Sequence, residues 1–225
     1  ITHPINVIQV CADFFNKMIT RGQAISDQDL QSMANDISNN VQRAAAIIQH
    51  MRRFARQSNV VKSKVNINDP IQDVFKVLGH QLRVHQVEVV LELDHEIPPI
   101  MADHNRLEQV FINLVINAVD AMDDKCSQPE CQQAEKKLTI KSFAENGYVS
   151  VIVSDTGCGM SREVMGKIFE TCFTTKEVGI GTGLGVSISY GIVKDYEGAI
   201  EIDSTVGEGT TFKLKFPYQL NAMDQ

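Results

Sequence analysis

Gly179-Ile180-Gly181-Thr182-Gly183-Leu184-Gly185 runs directly into an apolar helical pattern, and it decides the fold together with Asp155-Thr156-Gly157-Cys158-Gly159 upstream. A glycine turn that opens a helix presents backbone N–H groups to an anion, and the helix dipole adds partial positive charge. No Gly-Lys-Ser/Thr follows, so this is not a Walker loop. It does not follow a strand in a βαβ unit either, so a Rossmann fingerprint fits badly. Asp155 ends an apolar strand pattern of Val149, Val151 and Val153. A carboxylate there can accept from an exocyclic amine, while Gly157 and Gly159 let a flat ring approach the backbone. Alone, the same five residues also fit an ordinary turn.

Working back along the chain, Ile112, Leu114, Val115, Ile116, Ala118 and Val119 predict a buried helix, apolar almost all round. Against that background Asn113, Asn117 and Asp120 recur at i, i+4 and i+7, forming one polar stripe. Burying unpaired amides and a carboxylate costs several kcal/mol, so the stripe lines a polar cavity or satisfies neighbouring backbone. An amide oxygen beside a carboxylate suits Mg²⁺ on a polyphosphate. A structural hydrogen-bond network fits the helix as well. Two glycine loops, one lone acid and an asparagine pair, in this order, point to a nucleotide site.

Composition narrows the alternatives. Of 225 residues, 21 are Lys or Arg and 28 are Asp or Glu, for a formal charge of -7 without any basic block. Nucleic-acid binding needs clustered basic residues, so it is disfavoured. No apolar run approaches the ~20 residues of a membrane span, and the first residues lack secretory-signal features. Cys126 and Cys131 are the only cysteines close in sequence, with no second Cys or His pair nearby; reduced thiols in a cytoplasmic protein are expected, not a zinc site.

Two helices are predicted ahead of the α/β part. The first runs from Ile5 to about Thr20, with Pro4 in its first turn, and ends at Arg21-Gly22-Gln23. Ser26-Asp27-Gln28-Asp29 supplies N-cap residues for the second. Leu30, Met33, Ile37, Val41, Ala44, Ile48, Met51 and Ala55 then follow intervals of 3, 4, 4, 3, 4, 3 and 4, a heptad-like seam. A lone hairpin cannot bury such a stripe, so a homodimeric four-helix bundle is expected. Residues 58–64 read as a polar connector. Strands are predicted at Val87–Leu93, Leu138–Phe143, Val149–Ser154, Ala199–Ser204 and Thr210–Phe216, with Asn146-Gly147 as a hairpin turn. Helices are predicted at 69–84, 104–123, 161–169 and 184–196, and Asp123–Lys137 as an exposed loop or frayed helix end.

The chain resembles the core of the sensor histidine kinases, whose ATP-binding domain has the Bergerat (GHKL) fold shared with gyrase and MutL. Asn113–Ala121 matches the N box, Asp155–Met160 the G1 box, Ile168–Lys176 the F box and Gly181–Gly185 the G2 box. The resemblance implies an α+β chain: residues 1–60 as a dimerisation and histidine-phosphotransfer hairpin, 64–220 as a two-layer α/β ATP-binding domain. It implies ATP and Mg²⁺ as cofactors, Asn117 as the metal ligand and Asn113 at the phosphates. Asp155 would read the adenine amine, with Gly157 and Gly159 shaping the base site. Phe169, Phe173 and Lys176 would belong to a mobile lid, and Gly181, Thr182, Gly183, Leu184 and Gly185 would close on the phosphates. Asp120 sits where relatives vary.

Hydrolytic members of the superfamily tend to carry Glu at the position of Asn113, so this chain is expected to transfer phosphoryl groups, not hydrolyse ATP. The implied reaction is transfer of the γ-phosphoryl group to a histidine, then to an aspartate of a response-regulator receiver domain, in the cytoplasm and with no membrane contact from this segment. In the family box His-Glu-x-x-x-Pro, Pro4 aligns as the proline, which places the acceptor His two positions before Ile1. His3 has three readings: acceptor, accessory in dephosphorylating the regulator, or a residue of the helix start. A non-catalytic ATP-sensing scaffold and a hydrolytic ATPase are the alternatives.

Overall fold

The computed structural model describes residues 2–22, 24–26, 28–38, 40–41, 62–127, 131, 134–171, 173–176 and 183–218. The chain divides into two compact units, Ile1–Asn59 with Thr174–Gly183, and Val60–Phe173 with Leu184–Gln225. Among the described residues no helix is long and apolar enough to cross a membrane.

In the first unit, helix α1 spans Thr2–Thr20. It stops at Gly22, whose φ of 62° is a left-handed conformation that costs glycine little. Ser26 caps the next helix: its Oγ accepts from the Asp29 N–H at 3.1 Å and donates to the Asp29 carboxylate at 2.6 Å. Helix α2 covers 28–38, and 40–41 are helical too. On it Leu30 and Val41 are exposed within the single chain, while Met33 and Ile37 are half-buried. The rest of the seam, from Ala44 to Ala55, lies outside the described residues.

In the second unit the elements are β1 (Ser63–Val65), α3 (Asn68–Val84), β2 (Glu88–Leu93), β3 (Ile100–Ala102), α4 (His104–Cys126), β4 (Lys137–Glu145) and β5 (Tyr148–Asp155). They continue as α5 (Arg162–Lys167), α6 (Gly185–Asp195), β6 (Ala199–Thr205) and β7 (Gly209–Pro217). Five strands make one sheet in the order β2-β4-β5-β7-β6, parallel only between β2 and β4; β1 and β3 form a separate antiparallel pair. Alternate residues of β4, β5 and β7 (Leu138, Ile140, Val149, Val151, Val153, Phe212, Leu214, Phe216) are buried on one face, as a period of two requires. Helices α3, α4 and α6 pack together in the same hydrophobic core through Ile71, Val74, Leu107, Phe111, Leu114, Ile192 and Val193. Ser142 interrupts the apolar face; it donates to Asn68 Oδ1 at 2.7 Å, and Asn68 donates to the Asp94 carbonyl at 2.7 Å.

Three expectations change. The predicted connector overlaps β1, because Ser63 and Lys64 pair with Ala102 and Met101. The 123–137 segment is not all loop: α4 runs on to Cys126, and the Ser127 hydroxyl donates to the Asp123 carbonyl at 2.9 Å. Helix α5 is shorter than the predicted 161–169: Ser161 caps it, its side chain accepting from the Val164 N–H, and Ile168 follows its last residue. The described cysteines Cys11, Cys126, Cys131 and Cys158 are free.

Candidate functional site

One cross-strand row carries the chemistry. At the end of the sheet Leu138 faces Asp155, Asp155 faces Thr210, and Thr210 faces Ser204, across four strands. Asp155 follows Val149, Val151 and Val153 at a period of two, so it lies on the core face, at the end of β5. Its Oδ1 accepts from the Gly157 N–H at 2.8 Å, and the Thr210 backbone N–H also donates to it. Burial pushes this carboxyl up to about 6, against the opposing pull of those two N–H groups and of Lys125. Among the described residues Asp155 has no ion-pair partner, so a half-buried acid is held at the end of β5 by hydrogen bonds from backbone donors.

The strap after Asp155 lies against α4. The Cys158 N–H donates to the Ala121 carbonyl at 3.0 Å, and Lys125 Nζ donates to the Thr156 carbonyl at 2.8 Å. A Cβ on Gly157 would come within 2.7 Å of Ala121 Cβ and 2.8 Å of its carbonyl carbon. Gly159, at φ 65°, abuts the Thr205 carbonyl where no side chain fits. Burial, with Asp124 and Asp155 nearby, pushes the Cys158 thiol up, which keeps it protonated and unreactive at neutral pH.

Asn113, Asn117 and Asp120 are half-buried on α4, while Leu114, Val115, Ala118 and Val119 are buried; Ile116, expected inside, is 37% exposed. Asn113 Nδ2 donates to the Gly185 carbonyl at 3.1 Å and to Ser189 Oγ at 3.3 Å, so it ties α4 to the first turn of α6. The Asn117 side chain has no hydrogen-bond partner among the described residues, and a Cβ added at Gly185 would come within 3.8 Å of its Nδ2. An unengaged amide oxygen is a suitable hard ligand, so this position fits a divalent cation carried by a polyphosphate. The stripe therefore divides: the Asn113 amide nitrogen is engaged by α6, while the Asn117 amide has no partner among the described residues.

Leu184 is buried at the N-cap position of α6, and Gly185 begins the helix. Phe169 packs at a tilt against Tyr190 of α6, ring centroids 5.0 Å apart and ring planes 40° apart. Gly183 has a φ of 63°, and the Lys176 N–H donates to Thr174 Oγ1 at 3.2 Å within the first compact unit. Gly181 and Thr182 lie outside the described residues.

Sequence reasoning missed Lys125, Ser204 and Thr210. No motif marks them; only strand register and the reach of α4 bring them to Asp155. Nor does any motif mark the partners of two histidines: His85 Nδ1 lies 2.5 Å from Asp123 and His104 Nε2 2.9 Å from Asp73. Lys136 Nζ joins the first pair at 2.6 Å from Asp123, and Lys136 and His85 together hold that carboxyl below its ordinary value against burial, the largest single influence on it.

The comparisons agree with this architecture. Residues 102–220 match the family described as histidine kinase-, DNA gyrase B-, and HSP90-like ATPase. The chain is 35% identical over 96% of its length to a sensor kinase, CckA, of Brucella abortus, and 30% identical over 85% to sporulation kinase E of Bacillus subtilis. It spans only 23% and 24% of the lengths of those two curated relatives. Among solved structures, the catalytic domain of the histidine kinase ThkA aligns with a TM-score of 0.58 at 30% identity, covering 69% of this chain and 95% of that one. ThkA in complex with the response regulator protein TrrA aligns with a TM-score of 0.64 at 26% identity, covering 96% of this chain and 59% of that one. The chain belongs to the histidine kinase-, DNA gyrase B- and HSP90-like ATPase family, and within it to the sensor histidine kinases.

Proposed function

We propose that the chain is the ATP-dependent core of a histidine kinase, which binds Mg²⁺-ATP beside α4, the strap 156–160 and the start of α6. The observation that carries this reading is Asp155, a half-buried carboxylate without a cation partner among the described residues, fixed by two backbone N–H donors at the end of a strand. Such a group is built to accept hydrogen bonds from a bound donor, and the exocyclic amine of adenine supplies one. Gly157 and Gly159 let the strap beside it pack closely on Ala121 and Thr205, where no side chain fits. Asn117 would hold Mg²⁺, with Asp120 one turn further along α4. When bound, that ion neutralises and orients the polyphosphate.

Asn113 bears on the reaction class. Its amide nitrogen is committed to Gly185 and Ser189, and an amide cannot act as a general base, so nothing at this position activates water. The reading is therefore transfer: a histidine ring nitrogen forms a P–N bond to the γ-phosphorus as the β–γ P–O bond breaks and ADP leaves. The phosphoryl group then passes to an aspartate of a receiver domain, a partner supported by the complex in which ThkA was solved. We place the acceptor in the helical hairpin, ahead of Ile1, with His3 in an accessory role, the paired hairpins forming the dimer and the site facing the cytoplasm. Lys176 and Gly181 to Leu184 would supply the lid and phosphate contacts.

A chain extended so that a His-Glu pair precedes Ile1 should take up label from γ-labelled ATP and Mg²⁺ as an acid-labile, base-stable adduct. Asn117→Ala in that chain should cut labelling at least a hundredfold and leave the dimer intact. Loss of the dimer in that variant would make Asn117 structural, and ATP consumption without labelling would favour hydrolysis.

A further inference from the structure

Ser204 stands in the same cross-strand row as Asp155, beside Thr210, and carries hydrogen bonds to three residues in two segments, the strap and the start of β7. Its Oγ accepts from the Met160 N–H at 2.8 Å, donates to the Gly209 carbonyl at 2.8 Å, and lies 3.0 Å from Thr210 Oγ1. A hydroxyl has one proton and two lone pairs. The proton of Ser204 is committed to Gly209 and one lone pair to Met160. The bond to Thr210 must then run from Thr210 to Ser204. Thr210 has given its proton away as well, so toward any ligand its oxygen offers lone pairs only. The opposite-facing neighbour Thr211 pairs instead with Ser154, 2.8 Å away, so the two threonines serve different faces of the sheet.

We infer that Ser204 is a positioning residue for base selection: by saturating its own hydroxyl it locks Thr210 as an acceptor next to Asp155 and pins the strap at Met160. This rests on the reading of Asp155 as the base-recognising carboxylate. Two acceptors side by side, one of them a carboxylate, favour a purine with an amino group at its reading edge. They repel one with a carbonyl there, because neither can supply a proton. The strap is held from the other side too, since the Gly207 N–H donates to the Cys158 carbonyl at 2.8 Å. Ser204 therefore sets the polarity of the row more than its position.

The test is displacement of a fluorescent ATP analogue from the full chain by ATP and by GTP. Ser204→Ala frees the Thr210 proton and orphans the Met160 N–H. ATP affinity should fall about fivefold, GTP affinity should hold or rise up to about twofold, and the ATP/GTP ratio should fall about five- to tenfold, the size expected for one misplaced hydrogen bond. Ser204→Thr, which keeps the hydroxyl, should restore the ratio. An unchanged ratio in Ser204→Ala, or equal loss of both nucleotides, overturns the inference. If Ser204→Ala does not fold, Ser204→Cys gives the same reading, since a thiol is a poor partner at similar volume. If neither folds, the unmutated chain decides: inosine triphosphate binding as tightly as the 6-unsubstituted purine triphosphate overturns it. Asp155→Asn separates the two levels. If it leaves the ATP/GTP ratio untouched, the reading of Asp155 fails; if it collapses the ratio while Ser204→Ala does not, only the role of Ser204 fails.

Discussion

Asp155 binds its proton more tightly in the folded chain, where burial raises it to about 6, than in the unfolded one, where an aspartate titrates near 3.8. Between those values the native state holds more protons, so stability falls as pH rises through that window, and above about 6 the full cost of the buried charge is present. Asp155→Asn removes the titration. Its melting temperature relative to the unmutated chain should therefore climb from pH 4 to pH 7 and level off; a constant difference would mean that the carboxyl is not desolvated. ATP binding should move the opposite way. The ionised form is the better acceptor, so affinity should rise with pH through about 6, whereas the variant should follow only the titration of the triphosphate itself. Comparing the two chains cancels that shared contribution. The type of residue at 155 was legible in the sequence, because a carboxylate at the end of an apolar strand is conspicuous. Its partners were not, since Thr210 and Ser204 meet it only through strand register.

At the scale of elements, the strap 156–160 works because two glycines let it lie flat on α4 and on the β6–β7 hairpin. The Gly157 position has no room: a Cβ would press on Ala121 and on the backbone of α4 at once. Gly157→Ala should therefore destabilise the domain by about 2 kcal/mol, within the usual cost of overpacking, and should weaken nucleotide binding as the strap lifts. Thermal melting with and without ATP checks both. A variant with unchanged stability would show that the strap yields freely. The long strands and α3, α4 and α6 were legible from periods of two and 3.6. Strands β1 and β3 were not, as three residues each carry too little pattern to separate a strand from a connector. The far end of α4 reads in the sequence as a loop or a frayed helix end, because Asp124 and Lys125 look like loop composition, and the helix runs three residues past the predicted 123. Yet Asp123 is bound by His85 and Lys136, and Lys125 reaches Thr156, so polar residues there hold tertiary contacts and extend the helix.

For the whole molecule, the two compact units have different reasons to be stable. The sheet unit owns a closed core of Phe111, Leu114, Leu138, Ile140, Leu214 and Phe216, all nearly inaccessible to solvent. Among the described residues of the helical unit, Val10 and Ile19 on α1 and Val41 in the second helical stretch are at least half exposed in the single chain. Apolar seams at heptad spacing are stabilised by burial against a partner helix, and a second copy of the same hairpin offers a matching seam. The chain should therefore sediment as a dimer at micromolar concentration. Ile37→Glu places a charge in the middle of the seam, where burying it unpaired is prohibitive. That variant should sediment as a monomer, with ATP affinity within about twofold of the unmutated chain, because the residues assigned to the nucleotide lie mostly in the other unit. Analytical ultracentrifugation and nucleotide titration read the two outcomes separately. A monomeric unmutated chain would remove the reason for the heptad pattern, and a dimer that survives Ile37→Glu would move the interface to another surface. Joint loss of dimer and ATP binding would mean that the sheet unit depends on the helical one for its fold, against the independence its own core implies.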